Sequence, residues 1–270
     1  MCRCYGRGPR RIPLYQVDAF ADRAFAGNPA AVCLLEEWPA DSLLQSIALE
    51  NNLSETAFLV PEGLVWRLRW FTPKVEVDLC GHATLASAHV IFEHIHREMQ
   101  KVEFETRSGR LAVYRNGPVL SMEFPANPPE AAVEPEGLAD ALGAAPEAVL
   151  EAPFIWVAVF PDESSVRALR PDFRRLAALN GGITAATAPG GEVDFVSRCF
   201  APGAGIDEDP VTGSAHCALA PYWADRFGKT ALTARQVSER GGRLACTMQG
   251  DRVVISGRAA PYLSGTIELP

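Results

Sequence analysis

Apolar positions in this chain follow two periods, and strand-type alternation outweighs helical spacing. The segments 12–20, 56–60 and 66–71 read as strands, and 30–35 reads as another after the Gly27-Asn28-Pro29 turn. Leu43, Leu44, Ile47 and Ala48, behind a Pro39-Ala40-Asp41 start signal, predict a helix over 42–51. From 83 to 95 small and apolar residues predict a buried helix. A strand meander follows at 102–104, 110–114 and 119–124, punctuated by Gly109 and Asn116-Gly117. The Pro-rich, acidic stretch 125–135 marks a boundary, and similar grammar resumes beyond it. Helices are expected at 138–143, at 172–180 (closed by Gly181) and at 213–227. Strands are expected at 154–160, 193–200, 231–237, 243–249, 252–256 and 262–269. Residues 12–125 thus form a first lobe and 126–261 a second. The strand 262–269 is free to return to the first lobe, and 1–11 is a disordered extension. Helix and strand alternate too irregularly for a doubly wound parallel sheet, and no G-x-G-x-x-G follows a strand. The expected class is α+β: two mostly antiparallel, curved sheets, each wrapped on a central helix.

A motif recurs across the two lobes. Phe71-Thr72-Pro73 leads into Asp78-Leu79-Cys80-Gly81-His82-Ala83 and a helix, while Phe200-Ala201-Pro202 leads into Asp209-Pro210-Val211-Thr212-Gly213-Ser214-Ala215 and another. Each copy reads as strand, Pro-marked turn, polar loop and helix start. Helix N-termini gather unpaired N–H groups and partial positive charge. If the lobes face each other, the cleft between them suits a small anion.

Composition narrows the function classes. With 270 residues, 48% of them hydrophobic, the chain can bury a large core. A formal charge of −8 and the absence of a long basic run argue against nucleic-acid binding. No apolar run reaches the ~20 residues of a membrane helix, and no long apolar stretch follows the basic N-terminus as a secretory signal requires. Seven scattered cysteines without a C-x-x-C pair fit a reducing cytoplasm better than a zinc site or a disulfide framework.

The chain resembles the phenazine-biosynthesis PhzF-like family, which shares the diaminopimelate epimerase-like fold. The resemblance rests on Phe25-Ala26-Gly27-Asn28-Pro29-Ala30-Ala31-Val32, Asn52-Leu53-Ser54-Glu55-Thr56-Ala57-Phe58 and Arg69-Trp70-Phe71-Thr72-Pro73. It continues in Leu79-Cys80-Gly81-His82-Ala83-Thr84 and Glu208-Asp209-Pro210-Val211-Thr212-Gly213-Ser214-Ala215. It implies two pseudo-symmetric lobes with the active site between them, usually in a homodimer. It also implies isomerase-type proton transfer on a small carboxylated substrate, without metal or organic cofactor.

Glu55 lies at the mouth of an apolar strand, where apolar surroundings disfavour a charged carboxylate and bring its proton affinity toward neutral pH. On the residues alone it serves equally as a cap at a strand end; the resemblance matches it to the family's acid/base. His82 and Ser214 hold equivalent places in the two motif copies, and the resemblance puts both in the site. His82 would donate to a carboxylate or shuttle a proton, and Ser214 would bind or simply cap, since no triad spacing supports a nucleophile. Asp207-Glu208-Asp209 lacks the spacing of a metal loop, and the family motif selects Asp209 as a second, orienting or proton-handling carboxylate. Gly81, Gly213 and Thr212 are expected to line the binding site, with Asn28 shaping backbone beside it. Arg240-Gly241-Gly242-Arg243 reads either as more cleft backbone or as a plain hairpin turn. The epimerase branch of the fold uses two opposed cysteines. Here Cys80 faces Thr212, whose hydroxyl is far too weak an acid to replace a thiolate. An epimerase or racemase is therefore the second reading, and a non-catalytic binding protein of the same fold the third.

Overall fold

The computed structural model describes residues 10–179 and 182–269. In chain order its first half holds β1 (Arg10–Ala19), β2 (Asn28–Leu34), α1 (Asp41–Asn51), β3 (Glu55–Glu62), β4 (Val65–Phe71), β5 (Glu76–Val77), α2 (Gly81–Val90), β6 (Lys101–Thr106), β7 (Gly109–Asn116) and β8 (Val119–Pro125). Next come β9 (Glu130–Ala131), α3 (Leu138–Leu142), β10 (Ala148–Ala152), β11 (Ile155–Val159), α4 (Glu163–Ala168), α5 (Phe173–Ala178), β12 (Ile183–Pro189), β13 (Phe195–Ala201) and β14 (Ile206–Asp209). The chain closes with α6 (Gly213–Phe227), β15 (Ala231–Gln236), β16 (Gly242–Gln249), β17 (Arg252–Gly257) and β18 (Ala259–Leu269).

The pairing pattern runs twice. In the first half β2 and β3 are parallel, β4 is antiparallel to β3 and parallel to β6, and β6, β7 and β8 form an antiparallel meander. In the second half β11 and β12 are parallel, β13 is antiparallel to β12 and parallel to β15, and β15, β16 and β17 close the meander. Helices make the parallel crossovers: α1 and α2 in one half, α4 with α5, and α6, in the other. The meander strands β8 and β17 pair with each other and join the halves. The chain then crosses over at both ends: β9 pairs with β10, while β18 runs antiparallel along the whole of β1.

Two helices sit inside these sheets. Every residue of α2 from His82 to Val90 is buried except His89, which is half-buried. A helix apolar on all faces belongs in an interior, and its Ala and Ser residues let the surrounding strands approach closely. Its counterpart α6 is anchored by Trp223, which is fully buried, stacks on Phe195 and Phe227 and donates its Nε1–H to Thr187 Oγ1 at 2.9 Å. One apolar cluster runs through both halves, from Val17 to Ile255.

Several details differ from the sequence expectation. Arg10 and Arg11 already belong to β1, so the ordered part begins earlier than 12, and residues 1–9 lie outside the described residues. The helix expected to 95 ends as an α-helix at Val90 and continues as a π-helical turn, Ile91–Ile95. Asn180 and Gly181, the expected end of a helix, lie outside the described residues, and α5 stops at Ala178. Strand β12, Ile-Thr-Ala-Ala-Thr-Ala-Pro, had no expected counterpart. It is central in its sheet and buried on both faces, so it shows no period-two signal.

Register gives the equivalences between the halves. Ala30 opposite Glu55 opens the first parallel pair and Ile155 opposite Ile183 opens the second. Thr56 opposite Phe71 and Thr184 opposite Phe200 open the next pairs. Glu55 is therefore matched by Ile183. Trp70 pairs Val77 and Cys199 pairs Asp209, so the counterpart of Asp209 is Val77. Asp78, which heads the first motif in the sequence, is exposed and lies 3.9 Å from Arg107 in an ion pair.

Trp223→Ala is expected to cost about 3–5 kcal/mol of stability, because it removes a large core side chain and one of the two hydrogen-bond partners of the Thr187 hydroxyl, which also donates to the Val196 carbonyl. Urea unfolding followed by circular dichroism measures this, and a loss below about 1 kcal/mol would contradict the anchoring of α6 by Trp223.

Candidate active site

The two long buried helices start side by side. Cys80 is the N-cap of α2 and Thr212 that of α6, both in extended conformation, and neither side chain caps its helix. Gly81 and Gly213 meet back to back: a Cβ added to either would lie 4.0 Å from the other's Cα. Around these starts opens a cleft of about 500 Å³. Glu55, Gly81, His82, Asp209, Thr212, Gly213 and Ser214 all line it, so the residues expected from the sequence are brought together with one exception. The exception is Asn28, which is fully buried beneath the cleft.

A chain of polar contacts joins the two halves through Asn28. Its Nδ2 donates to Asp209 Oδ1 at 2.7 Å and to the Val211 carbonyl at 3.0 Å, and lies 3.2 Å from His82 Nδ1. On the far side of the ring, His82 Nε2 lies 3.1 Å from Glu55 Oε2. That approach is an ion-pair distance rather than an aligned hydrogen bond, and neither buried atom has another partner. Asp209 Oδ2 accepts the Thr212 hydroxyl at 2.6 Å. Ser214, in the first turn of α6, is exposed to the cleft and matches His82 in the first turn of α2. The site is thus asymmetric: Glu55 and His82 come from the first half, and Asp209 and Thr212 from the second.

The electrostatics follow from burial and from these neighbours. Burial pushes the Asp209 carboxyl up to about 6; the His82 ring opposes the rise, Glu55 adds to it, and the Thr212 and Asn28 hydrogen bonds oppose it. Burial alone would lower the His82 pKa, but the facing Glu55 carboxylate carries it well above 6.5. Cys80, with Sγ 3.5 Å from His82 Nδ1, is pushed up by burial and by the Glu55 charge, which keeps it a thiol. Cys217, one turn into α6, also lines the cleft and is pushed by burial to about 12. His216 points away: its Nδ1–H donates to the Thr212 carbonyl at 2.8 Å, and burial lowers its pKa to about 4.

Glu55, Cys80 and His82 present potential metal-ligating atoms within 4.8 Å of one another. Glu55 approaches Nε2 whereas Cys80 approaches Nδ1, on opposite edges of one imidazole. A single cation cannot bind all three without turning the ring, so the arrangement suits proton transfer better than metal binding.

The supporting residues were not all legible. Gln236 Oε1 accepts the Thr212 N–H at 2.9 Å while its Nε2 donates to the Asp209 carbonyl at 2.6 Å, fixing the loop between them. Its signal was a polar residue in step with the buried Leu232 and Ala234 of β15. Buried Asp18 accepts from Arg240 Nη2 at 2.8 Å and from the Phe25 N–H at 2.8 Å. Arg240 Nε donates to the Gly27 carbonyl at 2.8 Å. Gly27 has φ +67°, and a Cβ there would come within 2.1 Å of the Ala19 carbonyl oxygen, so only glycine fits the turn that presents Asn28. The Gly241-Gly242 pair is not in the cleft wall. Gly242 lies under Val211, whose methyl a Cβ would meet at 2.3 Å, so it supports the same loop from behind.

Three comparisons bear on this geometry. The phenazine biosynthesis-like protein family, PhzC-PhzF, matches residues 17–265. An uncharacterized isomerase of Pseudomonas aeruginosa is 55% identical over 258 residues, covering 96% of this chain and 99% of that one. The human phenazine biosynthesis-like domain-containing protein is 39% identical over 285 residues, covering 95% and 99%. The crystal structure of a PhzF-family protein from Enterococcus faecalis superposes with a TM-score of 0.94 at 45% identity, over 96% of this chain and 100% of that one. A hydroxyproline epimerase from Agrobacterium vitis, 13% identical with a TM-score of 0.64, shares the fold over 96% of this chain and 93% of its own. The fold is that of the diaminopimelate epimerase-like class. Within it, this chain belongs to the PhzF family.

Asp209 gives a pH signature with a definite sign. Its pKa is about 6 in the folded protein against an ordinary 3.8, so the folded state holds a proton that the unfolded chain has shed. Stability attributable to this group is present below about pH 4 and is lost as pH rises through about 6. Asp209→Asn should remove about 1–3 kcal/mol of that dependence between pH 4 and 6. The measurement is the difference in melting temperature between parent and variant across this range; a constant difference would contradict the burial of Asp209.

Proposed function

We propose that this protein is an isomerase that moves a proton, and with it a double bond, within a small carboxylated substrate, needing no metal or organic cofactor. The observation that carries this reading is the facing pair Glu55 Oε2 and His82 Nε2, 3.1 Å apart, buried and otherwise unpartnered in the wall of the cleft. Glu55 takes the proton from one carbon as the C–H electrons shift into a new double bond. It returns the proton to a second carbon, whose former double bond supplies the electrons, so no oxidant or reductant is needed. The uncapped N–H groups at Gly81 and Gly213, with the Ser214 hydroxyl, hold the substrate carboxylate. His82, carrying its proton on Nε2, steadies charge that develops on the substrate. Asp209, whose carboxyl burial pushes up to about 6, orients a polar substituent or handles the second proton. The relatives named isomerases, in Pseudomonas aeruginosa among others, support the reaction class. The free thiols Cys33, Cys80, Cys199, Cys217 and Cys246 suit the reducing cytoplasm, and the family resemblance favours a homodimer.

A two-thiol epimerase is disfavoured, because the position facing Cys80 is Thr212, whose hydroxyl is already donated to Asp209. Glu55→Gln should fold normally, keep ligand binding and lose solvent-deuterium incorporation into substrate by roughly 10²- to 10⁴-fold. Mass spectrometry of substrate incubated in heavy water reads this. Undiminished incorporation by the variant would remove Glu55 from the proton transfer.

A further inference from the structure

Each half pins its cleft wall with the same arginine–glutamate fork. In the first, Arg69 Nε and Nη2 donate to Glu76 Oε1 and Oε2, both at 2.7 Å. In the second, Arg198 Nε and Nη2 donate to Glu208 Oε1 and Oε2, both at 2.8 Å. The guanidinium lies 5.1 Å from the Phe71 ring in one half and 5.0 Å from the Phe200 ring in the other. Register makes the two forks equivalent, since Trp70 opposite Val77 matches Cys199 opposite Asp209. The four charged side chains are between 12% and 20% exposed. Bidentate pairs this far removed from water hold a geometry more firmly than surface ion pairs do.

The remaining guanidinium nitrogen ties in the crossover helix of its half. Arg69 Nη1 donates to Asp41, at the start of α1, at 2.8 Å. Arg198 Nη1 donates to the carbonyls of Val166 in α4, at 3.3 Å, and of Leu169 just beyond it, at 3.0 Å. The pinned glutamate is followed directly by the residue its half presents to the cleft: Val77 after Glu76, Asp209 after Glu208. The strands carrying these residues need such an anchor. β5 has two residues, and β14 meets β13 at two register positions with an irregularity between them. Arg107 also reaches Glu76, at 2.7 Å, whereas among the described residues Glu208 has no ion pair but the one with Arg198.

Resting on the reading that gives Asp209 a part in the proton shift, we infer that Arg198 is a positioning residue: its fork on Glu208 fixes β14 and so holds Asp209 against Asn28 and Thr212. In the first half the same device aims Val77, so its loss there has no acid to misplace.

The test is carbon-detected NMR titration of the Asp209 carboxyl in the ligand-free full chain, assigned by its loss in Asp209→Asn. The titratable groups facing Asp209 are His82, Glu55 and the Cys199 thiol, and none of the fork variants replaces them. Arg198→Lys keeps the charge and loses the fork. Burial is what holds the Asp209 carboxyl up at about 6, so a loosened β14 should let its titration fall toward the ordinary 3.8. Arg69→Lys makes the same exchange in the other half and should leave Asp209 where it was. Both variants should lose roughly 2–4 °C of melting temperature, so stability does not separate them and the titration does. Glu208→Gln removes the fork from its other side, should also lower the titration, and decides the matter if Arg198→Lys does not fold. Asp207→Asn, which removes an exposed charge two residues away, controls for charge alone and should change nothing. An Asp209 titration unmoved in the fork variants of the second half, or moved as far by Arg69→Lys, would overturn the inference. Either result leaves the isomerase reading standing. Conversely, undiminished deuterium incorporation by Glu55→Gln would remove that reading and leave the hold of Arg198 on Asp209 intact.

Discussion

The site depends on one amide. Asn28 Nδ2 donates to Asp209 Oδ1 and to the Val211 carbonyl, which uses both of its hydrogens, and lies 3.2 Å from His82 Nδ1. Two of these three partners belong to one half of the molecule and the third to the other. Burying a carboxylate and an imidazole against each other is costly unless their hydrogen-bonding groups are satisfied. Asn28 meets that requirement for Asp209 from below, while His82 Nε2 and the Glu55 oxygen face each other with no other partner. Its own position is fixed in turn by the Gly27 turn, which admits no side chain, and by the Asp18–Arg240 pair that grips the turn's carbonyls.

Seen in this way, the repeated half-fold supplies a frame, and the differences between its copies supply the chemistry. The frame places two helix N-termini against each other, which alone would make a symmetric cleft suited to an anion. Symmetry is broken at Glu55 against Ile183, at Asp209 against Val77, and at Cys80 against Thr212. Each change makes the two walls unequal in charge or acidity. On the proposed proton-shift reading this inequality lets one wall carry the base, whereas a two-thiol racemase keeps matched acids on opposite walls.

Much of this was legible in the sequence. The buried helix after Cys80 showed in its unbroken run of small residues, and Gly213–Phe227 showed in its Gly start and apolar spacing. The Phe-x-Pro repeat marked the two halves. Glu55 and Asp209 needed the family resemblance, because a carboxylate at a strand mouth and one in an acidic cluster are also ordinary surface features. The repeated Asp at the head of each motif is misleading, since the two aspartates are offset by one residue relative to the helix starts. Counting back from Cys80 and Thr212 matches Asp209 with Val77 instead, and strand register bears this out. The roles of Asn28, Gln236 and Asp18 depend on contacts between residues far apart in the chain, as in Asn28 with Asp209 or Asp18 with Arg240, which no local pattern encodes. Strand β12 escaped because alanines buried on both faces give no alternation.

The central claim is that Asn28 couples the two halves electrostatically by holding the Asp209 carboxylate. Carbon-detected NMR titration of aspartate carboxyls in the parent and in Asn28→Ala tests it most directly. The account predicts a parent carboxyl titrating at about 6, assigned through its loss in Asp209→Asn, and a further upward shift when the amide is removed. An Asp209 titration that is identical in the two proteins, or that falls at the ordinary value near 3.8, would contradict it.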